Sequence, residues 1–202
     1  MPRDKMSWWA LGPEGSGNHI LQDVLCCHPF IRERKHPLKW TSLPRNRIRG
    51  DIIGHPSMGR IGQWPRMDQF KENDKILLIH RSGIHSVYSA YRRFRDITPG
   101  GVPTFVWYYL SACDFMSTFL FGPFDVQMIL YEQLMADPEM TKKIIAKFFG
   151  VLYPKWDTSH LILELRNDDR WKKDKEFGSA IEPYLNLIHR RGLGCNGNLC
   201  SK

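Results

Sequence analysis

A glycine-rich stretch near the N-terminus, Gly12-Pro13-Glu14-Gly15-Ser16-Gly17-Asn18-His19, has the composition of a loop that binds an anion. Glycines let backbone N–H groups crowd around a phosphate, and the N-terminus of a following helix adds partial positive charge. An apolar run at 8–11 predicts a buried strand before the loop, and the apolar spacing of 20–25 predicts a helix after it. The stretch therefore predicts a phosphate-binding loop, with a glycine turn that binds nothing as the alternative.

The spacing of Gly12 and Gly17 equals that of the magnesium-dependent Walker A loop, but the next two residues do not fit that motif. Asn18 stands where a lysine would reach the outer phosphates, and His19 stands where Ser or Thr would hold Mg²⁺. No other metal-ligand spacing is evident in the sequence. The loop therefore predicts phosphate binding without a metal and without magnesium-dependent hydrolysis.

The elements that must position this loop alternate between strands and helices. Further strands are predicted at 51–53, 75–80 and 126–131, and helices at 84–95, 104–121 and 138–149, with a loop at 98–103. This alternation predicts one α/β domain over residues 1–202, a three-layer, P-loop-type nucleotide-binding fold with a mostly parallel central sheet flanked by helices. Ligands bind beyond the carboxyl ends of such strands, where the loop, His55, Arg81 and Tyr131-Glu132 fall.

Net charge and length narrow the classes of partner. The net charge of +8 over 202 residues favours an anion such as a nucleotide, a nucleic acid, an acidic glycan or a membrane surface. Nucleic acid is the weakest of these, because the basic residues are scattered and no recognised module appears. No apolar run is long enough to span a membrane, and residues 8–11 are too short for a signal peptide. Five cysteines without regular spacing predict reduced thiols, so we expect a cytoplasmic protein. The alternative is a disulfide between Cys195 and Cys200 that closes a short tail loop.

Several strand ends together resemble one family, the sulfotransferases that use 3′-phosphoadenosine-5′-phosphosulfate (PAPS). Gly15-Ser16-Gly17-Asn18-His19 is similar to the loop that holds the 5′-phosphosulfate in that family. Arg81 ends a predicted strand and Ser89 follows eight residues later, like the pair that grips the 3′-phosphate. The segments 130–134, 137–138 and 148–151 also look like the family's next strand, spacer and helix. The resemblance covers roughly residues 7–151.

The resemblance implies an enzyme that moves a sulfuryl group from PAPS, its co-substrate, to a hydroxyl or amine of a carbohydrate or small-molecule acceptor. The residues that it implies for binding the nucleotide donor are Gly15, Ser16, Gly17, Asn18, His19, Arg81 and Ser89. From the residue types alone, Arg81 offers a planar fork of donors to a phosphate. The alternative for Arg81 is a strand-end arginine paired with an acid, and for Ser89 a small residue at a packing face.

The acceptor must also lose a proton, which requires a base with a pKa near neutrality. His55 is the first candidate, because Gly54-His55-Pro56 resembles the Thr-His-x-Pro segment that holds the catalytic histidine in many sulfotransferases. Histidine suits the task with an unperturbed pKa of about 6.5. Glu14 is the second candidate, because some sulfotransferases of proteins and glycans use a glutamate. His19 and His85 are further rivals.

One departure from the family pattern favours other functions. The family usually carries Lys or Arg immediately before Ser-Gly, where this chain has Gly15. A non-catalytic protein that binds nucleotides or polyanions is therefore the main alternative, and a P-loop kinase is a weaker one because the loop lacks Lys and Ser/Thr after Gly17. Arg190-Arg191-Gly192 resembles a family segment that closes over the 3′-phosphate, but a basic tail is the favoured interpretation.

Overall fold

The structure is a computed structural model that describes residues 7–28, 31–33, 48–53, 67, 70–72, 74–153, 156–161, 163 and 169–191. The strands of the described chain are β1 Ser7–Leu11, β2 Ile31–Glu33, β3 Ile48–Ile53, β4 Lys75–His80 and β5 Asp125–Leu130. The helices are α1 Asn18–Cys26, α2 Gly83–Phe94, α3 Gly101–Leu120, α4 Tyr131–Ala136, α5 Pro138–Phe149, α6 Arg170–Lys173, α7 Lys175–Ile181 and α8 Leu185–Arg191. A short 3₁₀ turn, Glu182–Tyr184, joins α7 to α8.

The five described strands form one parallel sheet in the order β2-β3-β1-β4-β5. β1 lies at its centre, where Leu11 pairs with Ile53 of β3 and with Leu78 of β4. In β4 and β5, His80 pairs with Leu130. The strands therefore deliver the glycine loop, Arg81 and Tyr131 to the same edge of the sheet, and the predicted α/β fold with a parallel sheet is confirmed.

One face of the sheet is covered by α1, α4 and α5. Side chains that alternate along β1 and β4, among them Trp8, Ala10, Leu77 and Ile79, pack against apolar residues of these helices. Asp137 caps α5 by accepting a 2.9 Å hydrogen bond from the N–H of Met140, and Gly150 ends the helix with a positive φ of 65°. The predicted helix at 138–149 is therefore confirmed at both ends.

The other face of the sheet packs against α3. Leu11, Ile76 and Leu78 point to this side and contact Met116 and Phe119. A second cluster joins α2 and α3 to α7 and α8, with Phe177 and Ile181 fully buried in it. Helices on both faces give the three layers that the alternating pattern predicts.

Several predicted boundaries are wrong. β2 was not predicted as a strand, and the helix predicted from residue 104 begins at Gly101, after Gly100 in the left-handed region. Tyr131, predicted as the end of a strand, begins α4. Arg190 and Arg191 end α8 rather than forming a basic tail, while Gly192, Cys195 and Cys200 lie outside the described residues. Of the described helices, none combines the length and the apolar character needed to cross a bilayer.

Candidate functional site

The glycine loop between β1 and α1 is held in shape by its own side chains. The hydroxyl of Ser16 donates a 2.6 Å hydrogen bond to the carbonyl oxygen of Pro13. The side-chain amide of Asn18 donates to the carbonyl oxygens of Gly12 and Pro13, at 3.1 and 3.2 Å. Gly17 occupies the N-cap of α1 with a φ of 96°. Glycine has no side chain with which to cap the helix, so an anion bound at this end of α1 would accept hydrogen bonds from the first-turn N–H groups.

Gly15 lies against the backbone of α2, and only glycine fits there. Its φ is 79°, and a Cβ at this position would lie 2.4 Å from the carbonyl oxygen of Ser86 and 3.0 Å from the Cβ of Ser89. A lysine or arginine therefore cannot replace Gly15 without a change in the loop or the helix. The packing of the loop on α2 thus explains why position 15 does not carry the Lys or Arg of the family pattern.

Arg81, which follows β4, is directed at the same loop. Its Nη1 donates a 3.0 Å hydrogen bond to the carbonyl oxygen of Gly15, and its side chain is buried. Burial lowers the pKa of Arg81, while neighbouring Tyr131 and Glu132 act in the opposite direction. An arginine keeps its charge even so, and the loop therefore has a buried positive charge beside it.

The junction between β4 and α2 is fixed by α4. Oε1 of Glu132 accepts a 2.9 Å hydrogen bond from the backbone N–H of Ser82, the N-cap residue of α2. The carbonyl oxygen of Arg81 accepts a hydrogen bond from the hydroxyl of Ser86. These contacts set the direction in which the Arg81 side chain leaves the sheet. Ser89 lies further along α2, partly buried, against Gly15.

His80, the last residue of β4, supports the junction from inside the core. It is 6% exposed, and its Nε2 lies 3.0 Å from the hydroxyl oxygen of Tyr109 on α3. Burial lowers the pKa of His80 to about 4, against a weaker opposing effect of Glu132. The imidazole is therefore neutral near pH 7, and His80 is a structural residue behind Arg81.

The structure brings most of the predicted site residues together. Gly15, Ser16, Gly17, Asn18, Arg81 and Ser89 meet where β1 and β4 end, and His19 is exposed in the first turn of α1. The side chain of Glu14 is mostly buried, with Oε1 3.8 Å from Nη1 of Arg93 on α2. His55 lies outside the described residues, although β3 ends at Ile53 beside Leu11, at the edge where the loop begins.

Three residues around the loop were not identified as site residues from the sequence. The side chain of Tyr131 contacts the loop, that of Glu132 bonds to the α2 N-cap, and His80 bonds to Tyr109 of α3 inside the core. The sequence did point to Tyr131 and Glu132, because they follow the last strand and belong to the segment 130–134 that resembles the sulfotransferases. Nothing in the sequence pointed to His80, because the sequence does not reveal whether a histidine at the end of an apolar strand is buried or faces solvent.

Two further observations bear on the predictions. Arg191 does not lie free in a tail but forms a hydrogen-bonded ion pair with Asp114 of α3, with Nη2 at 2.8 and 3.1 Å from the carboxylate oxygens. Within the described ranges, no three His, Cys, Asp or Glu side chains are grouped as metal ligands would be.

Comparison with known proteins gives matches at the level of structure. No protein-family model matches the sequence, and no curated protein matches it. A sulfotransferase from Alicyclobacillus acidocaldarius superimposes with a TM-score of 0.60 at 18% identity, over 91% of this chain and 96% of that one. The mouse sulfotransferase SULT7A1, solved in complex with PAP, gives a TM-score of 0.50 at 15% identity, over 88% of this chain and 66% of the mouse chain. The predicted resemblance to sulfotransferases is thus confirmed for the fold.

Proposed function

We propose that this protein is a sulfotransferase that moves the sulfuryl group of PAPS to a hydroxyl or amine of a carbohydrate or small-molecule acceptor. The observation that carries the proposal is the meeting of Arg81 and Ser89 at Gly15. Arg81 donates to the carbonyl oxygen of Gly15, and the Cβ of Ser89 lies 3.0 Å from where a Cβ of Gly15 would be. A cation and a hydroxyl eight residues apart thus lie beside a phosphate-type loop, as a nucleotide with two separate phosphates requires.

The proposed roles follow from this arrangement. The N–H groups of Gly15, Gly17, Asn18 and His19, in the loop and the first turn of α1, bind the 5′-phosphosulfate. The N–H of Ser16 donates to the carbonyl oxygen of Pro13, so Ser16 holds the loop in the shape that binds the donor. Arg81 and Ser89 bind the 3′-phosphate, because a guanidinium offers a planar fork of N–H donors that suits a phosphate and a hydroxyl can donate to it. Holding the donor at two points aligns the sulfuryl group with the acceptor, and fixed donors stabilise the charge that develops on the departing phosphate.

For the proton of the acceptor we propose His55 as the base. β3 ends at Ile53 in register with Leu11, so the chain reaches residue 55 from the sheet edge where the glycine loop begins. Glu14 is the second candidate, and its neighbour Arg93 is the ion-pair partner that the structure gives it. In the family, the Lys or Arg before Ser-Gly contacts the oxygen that bridges the sulfuryl group and the 5′-phosphate of PAPS. Position 15 cannot supply this basic group here, so another residue must. His19 or an arginine of residues 32–49 is the proposed source.

A second function, binding of a nucleotide or polyanion without catalysis, is supported by one specific observation. The position that carries Lys or Arg in the family cannot hold a side chain here, because the Cβ would lie 2.4 Å from the carbonyl oxygen of Ser86. A binder of this kind would use Arg81, Ser89 and the loop without needing that cation. A P-loop kinase is less well supported. Asn18 stands where that motif has its lysine, and its side-chain amide donates hydrogen bonds to carbonyl oxygens of the loop.

Calorimetry and a turnover assay test the proposal together. Adenosine 3′,5′-bisphosphate, the expected product, should bind more tightly than AMP, since only the bisphosphate has a phosphate for Arg81 and Ser89. Transfer of labelled sulfate from PAPS to a panel of sugars, phenols and amines should then yield product. Equal affinity for the two nucleotides contradicts the assignment of the site. Preference for the bisphosphate without transfer to any acceptor supports the non-catalytic function instead.

A further inference from the structure

His85 lies on the same side of α2 as Ser89. It is in the first turn of the helix, and residues four apart stack on one helical face. Ser89 faces Gly15, and Arg81, four residues before His85, reaches the same glycine from the end of β4. His85 and Ser89 therefore share one face of α2, and Arg81 reaches the glycine that Ser89 contacts from the segment before the helix.

The groups around His85 balance one another in charge. Arg81 and Lys172 are its cationic neighbours, and Glu132 and Asp169 are its anionic ones. They come from three directions: Arg81 from the end of β4, Glu132 from α4, and Asp169 with Lys172 from α6 and its N-cap. Burial and then the charge of Arg81 lower the pKa of the half-buried His85, so its imidazole is neutral near pH 7 before any ligand binds.

We propose that His85 is a third ligand of the nucleotide's outer phosphate and that it binds this phosphate as the imidazolium, taking up one proton from solvent as the nucleotide binds. The inference rests on the proposed function, because that function assigns the outer phosphate to Arg81 and Ser89. The ring nitrogen that accepts the proton becomes an N–H group, which donates to a phosphate oxygen. A phosphate dianion beside His85 offsets Arg81 and favours the charged ring.

The sign of the resulting pH dependence is fixed by linkage. The pKa of His85 is higher in the complex than in the unliganded protein, so affinity for the bisphosphate rises as pH falls towards the lowered pKa of the unliganded ring, by at most about tenfold per pH unit. Below about pH 6 the ligand's phosphate itself takes up a proton, and the gain stops. His80 does not contribute in this range, because it titrates at about 4. His85 binds the phosphate in this proposal, so it is not the catalytic base.

Calorimetry of the full chain in two buffers of different ionisation enthalpy measures the proton directly. At about pH 7, binding of adenosine 3′,5′-bisphosphate should take up close to one more proton than binding of AMP. His85→Gln should abolish this difference and weaken bisphosphate binding by about 10- to 100-fold at about pH 6.5. His85→Lys, which carries a fixed charge, should bind the bisphosphate well at every pH without proton uptake. The matched control is His189→Gln, an exposed histidine on α8, which should behave as wild type.

The outcomes separate this inference from the function on which it rests. If the wild type prefers the bisphosphate to AMP and takes up no extra proton, or if His85→Gln takes up the same proton, the role of His85 is wrong while the nucleotide site stands. If the wild type binds both nucleotides equally, the nucleotide site and the role of His85 are both wrong. Circular dichroism of each variant establishes that it is folded, and His85→Lys carries the test if His85→Gln is not.

Discussion

The guanidinium carbon of Arg81 lies 4.3 Å from the centre of the Tyr131 ring. An edge carbon of the same ring would be 2.5 Å from a Cβ at Gly17, so Tyr131 contacts both the arginine and the glycine loop. A cation over an aromatic face is stabilised by the ring, and a packed ring also limits the rotamers that the arginine can adopt. The first residue of α4 thus holds Arg81 in place before any nucleotide is present.

Arg81→Ala should remove the preference for adenosine 3′,5′-bisphosphate over AMP. The cost should be on the order of 2–5 kcal/mol for the bisphosphate, because a buried charge pair loses its cation. Affinity for AMP should fall much less. Arg92→Ala is the matched control, since Arg92 is an exposed cation on α2, the helix that follows Arg81. Calorimetric titration of each variant with both nucleotides provides the measurement, and a preserved preference in Arg81→Ala contradicts the assignment.

Gly15→Ala should abolish nucleotide binding and destabilise the fold by roughly 1–3 kcal/mol, because alanine is strained at a positive φ and its Cβ would meet the carbonyl oxygen of Ser86. Gly150→Ala separates the two causes. Gly150 also has a positive φ of 65°, but nothing lies within 4 Å of the added Cβ. That variant should lose about 1–2 kcal/mol of stability and keep its nucleotide affinity. Urea unfolding measures the stability of each variant, and calorimetry measures its nucleotide affinity. An unchanged affinity in Gly15→Ala contradicts the requirement for close packing of the loop against α2.

The identity of the base is tested by two variants in parallel. His55→Ala should lower turnover about 10²- to 10⁴-fold with little change in nucleotide affinity, because only proton removal is lost. Glu14→Gln should leave turnover almost intact if His55 is the base. Steady-state kinetics with PAPS decide between them: an active His55→Ala with an inactive Glu14→Gln assigns the role to Glu14. If both variants stay active, His19 or the acceptor's own chemistry must account for the proton.

Stability should depend on pH through His80. Its pKa is about 4 in the fold, and an unfolded histidine has a pKa of about 6.5. Between these values the unfolded chain binds more protons, so the stability contribution is complete above about pH 6.5 and is lost as pH falls towards 4. Wild type should lose about 2 kcal/mol between pH 7 and 5 through this group. His80→Gln should lack that part of the loss in urea unfolding, and equal losses in both proteins refute the role of His80.

Nucleotide binding and any sulfuryl transfer should be unaffected by EDTA. The reason is chemical: a Walker A loop uses a lysine and a hydroxyl for Mg²⁺-nucleotide, whereas the amide of Asn18 is bonded to Gly12 and Pro13. Affinity for adenosine 3′,5′-bisphosphate is measured after dialysis against EDTA and again after addition of Mg²⁺. A strict requirement for Mg²⁺ would favour the kinase alternative.

The fold could be predicted from the sequence because its signals are local. The apolar runs of β1, β4 and β5 and the capping residues Asp137 and Gly150 determine the elements, and alternation of strand and helix determines the parallel sheet. β2 could not be predicted, because three residues are too few for a periodic pattern. The helices α6, α7 and α8 were not predicted either, since they are short and lie in a charged part of the chain.

The sequence predicted where the site lies, at the ends of the strands, but not how its side chains are arranged. The resemblance gave Arg81 and Ser89, and the structure places both beside Gly15. What the side chains of Asn18 and Ser16 do depends on the turn that the loop adopts, which no spacing reveals. The contact of Tyr131 with Gly17 joins residues that are far apart in sequence, and the burial of His80 depends on α3. The catalytic roles of His55 and Glu14 stay predictions.

The central position of β1 has a consequence for how the chain folds. β1 precedes both of its neighbours in the chain, and Trp8 pairs with Gly50 on one side and with Lys75 on the other. Parallel neighbours of this kind demand contacts between distant residues, whose loop-closure entropy makes folding slow. β1 therefore cannot complete its pairing until β4 has been synthesised, and apolar Trp8 and Leu11 stay exposed until then. During that interval the β1 segment is a target for chaperones and for aggregation.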